Sequence, residues 1–476
     1  MKKNMLILAV IALLIPAFAF ATGSGDSGED ITSISGMFDR ILYEDDGQDE
    51  WAEAFKELTG VELKITRPEH NQYPDILSTT FMSGDLPDVA EIQTNDYIPY
   101  AKSGLIIPLD EYIKASKELK SVPSDLLEAY RLKDGHIYGI PTYSGGGCVA
   151  YIRNDWLKAV GMSAPKTWDE LVEVLKAFTY GDPDKNGVDD TVGITLPMST
   201  AYEFDYYNRL IMQDAFFGFD QKNGVWVDGF LEPSMIGALE RFAYLYKEGL
   251  LDPEFFTNKT SVARTKIIEG QAGIMEYWSG VWATRFDERS KNAIPSSEII
   301  PINPIKGSYY ISRVGPCFAI TKDAKNPAQV FDVFINTQHD KGAGQALFTF
   351  GVEGIHYEKT DSGYKPLPTL SNPDVPFTKA YSDPTLIMND WDPIIPMLPL
   401  EKLSREINND PANVRYLSLP EGGDVYSKRV GEILTLKQEI FSAAVVGEMT
   451  PEAAIALYTK KVKALDIDKV LAELND

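Results

Sequence analysis

Short apolar runs alternate with helix-patterned segments through the first hundred residues, and this alternation most constrains the fold. Residues 31–42 hold the first strand candidate. In 50–59, Trp51, Ala54, Phe55 and Leu58 recur at i, i+3, i+4 and i+7, which predicts a helix. Gly60 stops it, and 61–66 alternates like a strand. Residues 73–82 are helical again, and Ser83-Gly84-Asp85-Leu86-Pro87 turns the chain into the run Val89–Ile92. A β-α-β-α order of this kind predicts a parallel α/β sheet. Further on, Thr167 and Glu170 form a capping box for a helix whose apolar face holds Trp168, Leu171, Leu175 and Phe178. Asn223-Gly224 predicts a hairpin. Residues 232–248 carry Ile236, Leu239, Phe242 and Tyr246 at helical spacing, and Thr450-Pro451 starts a last helix. At 476 residues, the chain is long enough for two or three domains of roughly 150 residues.

Composition excludes several classes. Seventy acidic residues face 45 basic ones, a formal charge of −25, so nucleic acid is not an expected partner. Two cysteines exclude a disulfide scaffold and a Cys₃ or Cys₄ zinc site. The histidines, at 70, 136, 339 and 356, form no HExxH pair. No GxSxG elbow, P-loop or Rossmann glycine set stands in a suitable context.

The first residues supply an address. Lys2 and Lys3 precede an apolar run over 5–20 that ends Ala19-Phe20-Ala21 and then turns polar. This predicts a cleaved secretory signal peptide over 1–21. The run contains Pro16 and is shorter than the ~20 residues of a spanning helix. No cysteine follows it, so no bacterial lipid anchor is expected, and a free exported protein is retained in a periplasm. Residues 22–30 (TGSGDSGED) read as a disordered leader.

The stretch 182–190 reads D-x-D-x-N-G-x-x-D. Oxygen donors at positions 1, 3 and 5, a turn glycine at 6, a carbonyl at 7 and an acid at 9 suit Ca²⁺. The candidate ligands are Asp182, Asp184, Asn186, the Val188 carbonyl and Asp190. Position 12 is Gly193 rather than the glutamate of an EF-hand. The alternative is an Asx-rich turn without metal.

A set of ordered motifs points to a family. They are SGDLPDV (83–89), GLIIPLDEYI (104–113), DGHIYGIP (134–141), YIRNDWLKAVGMSAPKTWDEL (151–171), KEGLLDPEFF (247–256), EGQAGIMEYW (269–278), VGPCFAITKDAKNP (314–327) and FGVEGIHYE (350–358). Together the chain resembles family 1 extracellular solute-binding proteins of bacterial ABC importers, in the large branch with alginate-oligosaccharide receptors. The resemblance implies a two-lobed periplasmic-binding-protein fold with a ligand cleft between α/β lobes. The N-lobe would comprise 31–142 and 318–370, the C-lobe 143–317 and 371–476. It further implies a monomeric receptor, not an enzyme, that closes on its solute by hinge motion and docks the membrane permease subunits of an ABC transporter. In that branch, a loop similar to 182–190 carries calcium with an acid at position 10, where this chain has Thr191.

The resemblance implies a sugar solute, and aromatic richness and size favour an oligosaccharide; sugar C–H faces stack on aromatic rings, and hydroxyl rims take carboxylate, amide or guanidinium partners. A peptide or other non-sugar solute is the alternative, and a secreted carbohydrate-active enzyme a more distant one, since 70 acids always permit a carboxylate pair. Candidate ligand-binding residues are Trp278 and Trp282 in EYWSGVW, Trp391 in MNDWDPI, Tyr143 at the first crossing and Arg313 before the return crossing. Asn95 follows a predicted strand, Asp45 and Asp46 follow the first strand candidate, and Glu353 lies in a turn between glycines. Strand C-terminal ends face ligands in open α/β sheets, which motivates Asp45, Asp46 and Asn95. His356 reads as structural, and Tyr206 and Tyr207 as helical core. Cys148 and Cys317 each lie beside a crossing; a disulfide and two buried free thiols are both open.

Overall fold

The computed structural model describes residues 30–142, 146–198, 201–361, 363–367 and 398–476. Tyr143, Trp391, the predicted signal peptide and all but the last residue of the leader lie outside the described residues.

Two sheets organise the chain. The first contains β1 (Ser33–Met37), β2 (Glu62–Thr66), β3 (Val89–Ile92), β4 (Ile140–Pro141) and a strand that returns much later, Cys317–Ile320. Its order is β2-β1-β3, then the late strand, then β4. The second sheet begins with β5 (Gly146–Arg153) and β6 (Val192–Ile194). A hairpin apart from both sheets follows, β7 (Phe219–Lys222) and β8 (Val225–Asp228). Then come β9 (Ala272–Trp278), β10 (Ile299–Ile302) and β11 (Tyr310–Arg313), after which the late strand is β12. A short hairpin, β13 (Tyr357–Thr360) with β14 (Gly363–Pro366), precedes β15 (Val414–Leu417), which closes the second sheet in the order β15-β11-β5-β9-β6.

Strand direction shows how the lobes are joined. Within the first sheet β1, β2 and β3 are parallel, and β12 alone pairs antiparallel to β3 and β4. In the second, β5 pairs antiparallel to β9, β10 and β11, whereas β6 is parallel to β9 and β15 to β11. Each sheet therefore contains one reversed strand, and each reversed strand is the one that enters by a crossing. The first crossing runs from β4 to β5 and the second from β11 to β12. A reversed strand lets the chain change lobes over a few residues without a crossover helix.

The cores separate accordingly. Trp51, Phe55, Phe318, Phe334 and Phe348 pack under one face of the first sheet, with Met37, Tyr73, Leu77 and Tyr97 in another cluster. A larger core under the second sheet includes Tyr151, Phe178, Phe204, Phe242, Tyr277 and Phe441. The last helices, Asp424–Val445, Pro451–Val462 and Ile467–Asn475, pack on this second core.

Local signals produce the expected elements. The helix Gln48–Thr59 buries Trp51 and Phe55 and ends at Gly60, whose φ of 75° suits a residue without a Cβ. The helix Trp168–Tyr180 is capped by Thr167, whose hydroxyl accepts from Glu170 N at 3.2 Å. Asn223 and Gly224 take φ of 52° and 82° between β7 and β8, the left-handed pair of a tight hairpin turn.

Two open points are settled. The apolar run at 31–42 is a strand only over Ser33–Met37. Phe38, Ile41 and Leu42 are buried, but in a turn that leaves the sheet, and hydrophobicity alone does not separate a buried turn from a strand. Cys148 and Cys317 are buried and free. Cys148 pairs opposite Trp278 in the second sheet, and Cys317 opposite Ile92 and Pro141 in the first. The crossings adjoin, but each cysteine belongs to the sheet its own crossing enters.

Candidate functional site

Because β3, β9, β11 and β15 end beside the lobe junction, the residues following them gather there. A cavity of about 570 Å³ opens at this place, within the roughly 300–1,000 Å³ of small-molecule sites. One wall is the start of the helix Thr94–Lys102, with Thr94, Asn95 and Asp96; the other includes Tyr206, Arg313, Arg415 and the segment 416–420. Lys102 Nζ reaches across the junction to donate to the Gly422 carbonyl at 3.1 Å.

Arg313, the last residue of β11, is the centre of the second-lobe wall. Its guanidinium lies 4.9 Å from the ring centres of both Tyr206 and Trp278. Trp278 is the last residue of β9, which runs in the same direction as β11, so the strand ends deliver both side chains to one place. Arg313 Nη2 donates to Glu203 Oε1 at 2.9 Å, and Tyr207 Oη donates to Glu203 Oε2 at 2.7 Å. An arginine held by a carboxylate against two aromatic faces presents donors and π-surface together.

A polar cluster lies at the ends of the first-lobe strands. Asp39 follows β1, His70 follows β2 and Gln93 follows β3. His70 Nδ1 is 2.8 Å from Asp39 Oδ1, and Gln93 Nε2 donates to Asp39 Oδ2 at 3.2 Å. The N–H groups of Asp39 and Arg40 both donate to Glu91 Oε2 at 3.0 Å, and Arg40 Nε donates to Glu91 Oε1 at 2.6 Å. Arg40 Nη2 continues to Thr142 Oγ1, which donates to the Pro316 carbonyl at 3.0 Å. A continuous network thus runs from the first sheet through both crossings.

Of the residues singled out from sequence, Asn95 and Arg313 line the cavity, and Trp278 borders it through Arg313 and Tyr206. Tyr206, expected in the core, lines the cavity while remaining mostly buried; Tyr207 is core. Trp282 is a correction. It begins the helix Val281–Ala293 and is 6% exposed, packed on Tyr277 and Phe286 with Arg264 over its ring. Gly280 turns the chain into a helix, so Trp282 faces inward instead of staying in a loop with Trp278. Asp45 and Asp46 are also corrected: they form a helical turn, Glu44–Asp46, beyond the true strand end. Asp45 is exposed; Asp46 is buried, and its carbonyl accepts from His356 Nε2 at 3.0 Å. His356 Nδ1 accepts from Val352 N, and burial lowers its pKa. Glu353 is exposed and pairs with Lys359 at 2.8 Å on the surface, away from the residues lining the cavity.

Sequence reasoning missed Asp39, Arg40, His70, Gln93, Glu203 and Arg415. The signal was present for the first-lobe cluster, since each member lies within four residues of a strand end. Placing the end of β1 at Leu42 moved attention to the wrong acids.

The loop 182–190 is compact. Asp182, Lys185 and Gly187 take φ of 45°, 59° and 79°. Asn186 N donates to Asp182 Oδ1 at 3.0 Å, and Asn186 Nδ2 donates to Asp184 Oδ2 at 2.8 Å and Asp190 Oδ1 at 3.3 Å. The Asp184 pKa is raised, by burial first and then also by its neighbours Asp182 and Asp190. The carboxylates gather on the Asn186 amide, and no group of three or more acidic, histidine or cysteine side chains has metal-holding geometry among the described residues.

Residues 44–336 match the family described as bacterial extracellular solute-binding protein. The chain belongs to that family. Curated relatives of this solute-binding protein include the lipoprotein LipO of Bacillus subtilis, 27% identical over 77% of this chain and 76% of the relative. The polygalacturonan/rhamnogalacturonan-binding protein YtcQ of the same organism is 26% identical over 85% and 80%. Among solved structures, the alginate-binding protein AlgQ2 without calcium ion superposes with a TM-score of 0.69 at 22% identity, covering 94% of this chain and 98% of that one. The Streptococcus pneumoniae protein FusA in complex with kestose gives 0.66 at 19%, covering 93% and 98%. The likeness to these structures establishes the fold, two lobes about a central cleft. No helix among the described residues is long and apolar enough to cross a membrane.

Proposed function

We propose that this solute-binding protein captures an oligosaccharide in the interlobe cavity and delivers it unchanged to the permease subunits of an ABC importer. The observation that carries the reading is the grouping of Trp278, Tyr206 and Arg313 with Glu203. Rings offer stacking surface for sugar C–H faces, and the fixed guanidinium and carboxylate offer directed partners for hydroxyls. Asn95 and Asp96 face them from the first lobe, so a ligand bridging the walls favours the closed form. The relatives named for polygalacturonan and rhamnogalacturonan and for fructooligosaccharide support a glycan over a peptide. Export as a monomer, with residues 1–21 removed and without a lipid anchor, belongs to the same proposal.

The loop 182–190 fits calcium by its donor chemistry. Three carboxylates, the Asn186 side-chain oxygen and the Val188 carbonyl are hard oxygen donors. Burial first, and then the neighbouring Asp182 and Asp190, raise Asp184; a divalent cation would relieve that carboxylate repulsion, and Asn186 Nδ2 donates to the same oxygens. Bound calcium would supply a structural tie between the helix Trp168–Tyr180 and β6, with no part in solute chemistry.

Thermal unfolding against a panel of oligosaccharides, monosaccharides and peptides tests the reading. A ligand at 100 times its Kd adds about 2.7 kcal/mol. A shift with a glycan class, the glycan recovered intact, is the expected result. A shift with peptides alone refutes it.

A further inference from the structure

The charges around the cavity select among oligosaccharides. Three cationic side chains line it: Lys102, Arg313 and Arg415. Each already has an anionic neighbour. Arg313 is paired with Glu203 at 2.9 Å. Arg415 forks onto both oxygens of the buried Asp220 and also donates to the Gln221 carbonyl at 2.8 Å. Lys102 donates to the Gly422 carbonyl beside the Glu473 carboxylate, which accepts the N–H groups of Gly423, Val425 and Tyr426. Two further carboxyl groups, Asp96 and Asp205, line the same cavity. Asp205 accepts from Phe217 N and Gly218 N and lies 3.8 Å from the Arg209 guanidinium.

The lining is therefore a set of compensated pairs together with the Asp96 carboxyl group. A neutral hydroxyl both donates and accepts, and compensated pairs offer it both roles. A uronate or sulfate is held most strongly by a guanidinium or ammonium that is not already neutralised. It would have to displace Glu203 or Asp220 and would meet Asp96 on the opposite wall. Burying a charge without a counter-charge is strongly unfavourable.

Building on the oligosaccharide reading above, we propose that the ligand is a neutral oligosaccharide, and that Glu203 and Asp220 set this selectivity by neutralising Arg313 and Arg415. Both are specificity-determining residues whose removal uncovers an anion-binding guanidinium.

Isothermal titration calorimetry of the mature chain at pH 7.5 tests this. The probes are maltotetraose, cellotetraose and a fructan tetrasaccharide against tetragalacturonate and tetramannuronate. At least one neutral probe is expected to bind 100-fold or more tighter than either acidic one. In Glu203→Gln, which keeps an acceptor for Arg313, the acidic-to-neutral affinity ratio is expected to rise at least tenfold and to fall again with salt. Asp220→Asn makes the same test at Arg415, and thermal unfolding identifies any variant that does not fold. Acidic probes binding as tightly as neutral ones, or an unchanged ratio in both folded variants, overturns the selectivity while leaving the receptor reading intact. Binding of peptides but no glycan overturns both.

Discussion

The Arg40 guanidinium donates to the Thr142 hydroxyl at 2.7 Å, tying the end of β1 to the first crossing. Thr142 in turn holds Pro316 in the second crossing through both its amide, at 3.3 Å, and its hydroxyl. The two crossing segments are thus joined to each other and to the first lobe by one buried residue. Thr142→Val keeps the shape and removes the hydroxyl. It is expected to lower unfolding stability by about 1–3 kcal/mol, the cost of leaving buried polar groups unpaired. Urea denaturation of the unliganded protein measures this.

Substitutions at Trp278 and Trp282 are expected to separate binding from folding. Trp278→Ala removes a ring beside Arg313 and is expected to weaken glycan binding about tenfold or more, with a far smaller change in melting temperature. Trp282→Ala empties a core position and is expected to cost about 3–5 kcal/mol of stability. Calorimetric titration and thermal unfolding of both variants reveal whether the two effects divide in this way.

Burial raises the Asp96 carboxyl to about 6. A carboxyl raised in the folded state binds more protons there than in the unfolded chain between about 4 and 6. Its contribution to stability is then highest at pH below 4 and is lost as pH rises through 6. Asp96→Asn is expected to melt a few degrees higher than the parent at pH 7.5 and to lose that advantage at pH 4.5. Melting curves at the two pH values check the sign.

Chelation probes the loop 182–190. With calcium bound, EDTA is expected to lower the melting temperature by several degrees and added calcium to restore it. Asp184→Ala is expected to melt low and to stop responding to either. An unaltered melting curve in EDTA, with full metal removal verified by elemental analysis, refutes the calcium site.

Much of the fold was legible in order and spacing. Trp51 and Phe55 marked one helix, Thr167 and Glu170 the start of another, and Asn223-Gly224 a hairpin, because each signal is local and acts within one turn. The motifs on either side of 142 and 316 marked both crossings. The candidate site was only half legible. Asn95 stood out because it follows a recognisable strand, and Arg313 because it precedes the return crossing. Asp39 did not, since Phe38, Ile41 and Leu42 extend the apolar run past the real end of β1. Glu203 and Arg415 lie 110 and 102 positions from Arg313, and no local pattern announces either.

The amino-acid sequence by itself determined the α/β alternation, the caps and turns, and the family, all properties of residues close along the chain. The tertiary structure alone decided that Trp282 is core while Trp278 meets Arg313, that the two cysteines stay apart, and that the cavity's guanidinium groups are already paired. Those outcomes depend on which strands run parallel and where their ends fall. Strand pairing is a long-range choice, settled by packing of the whole sheet.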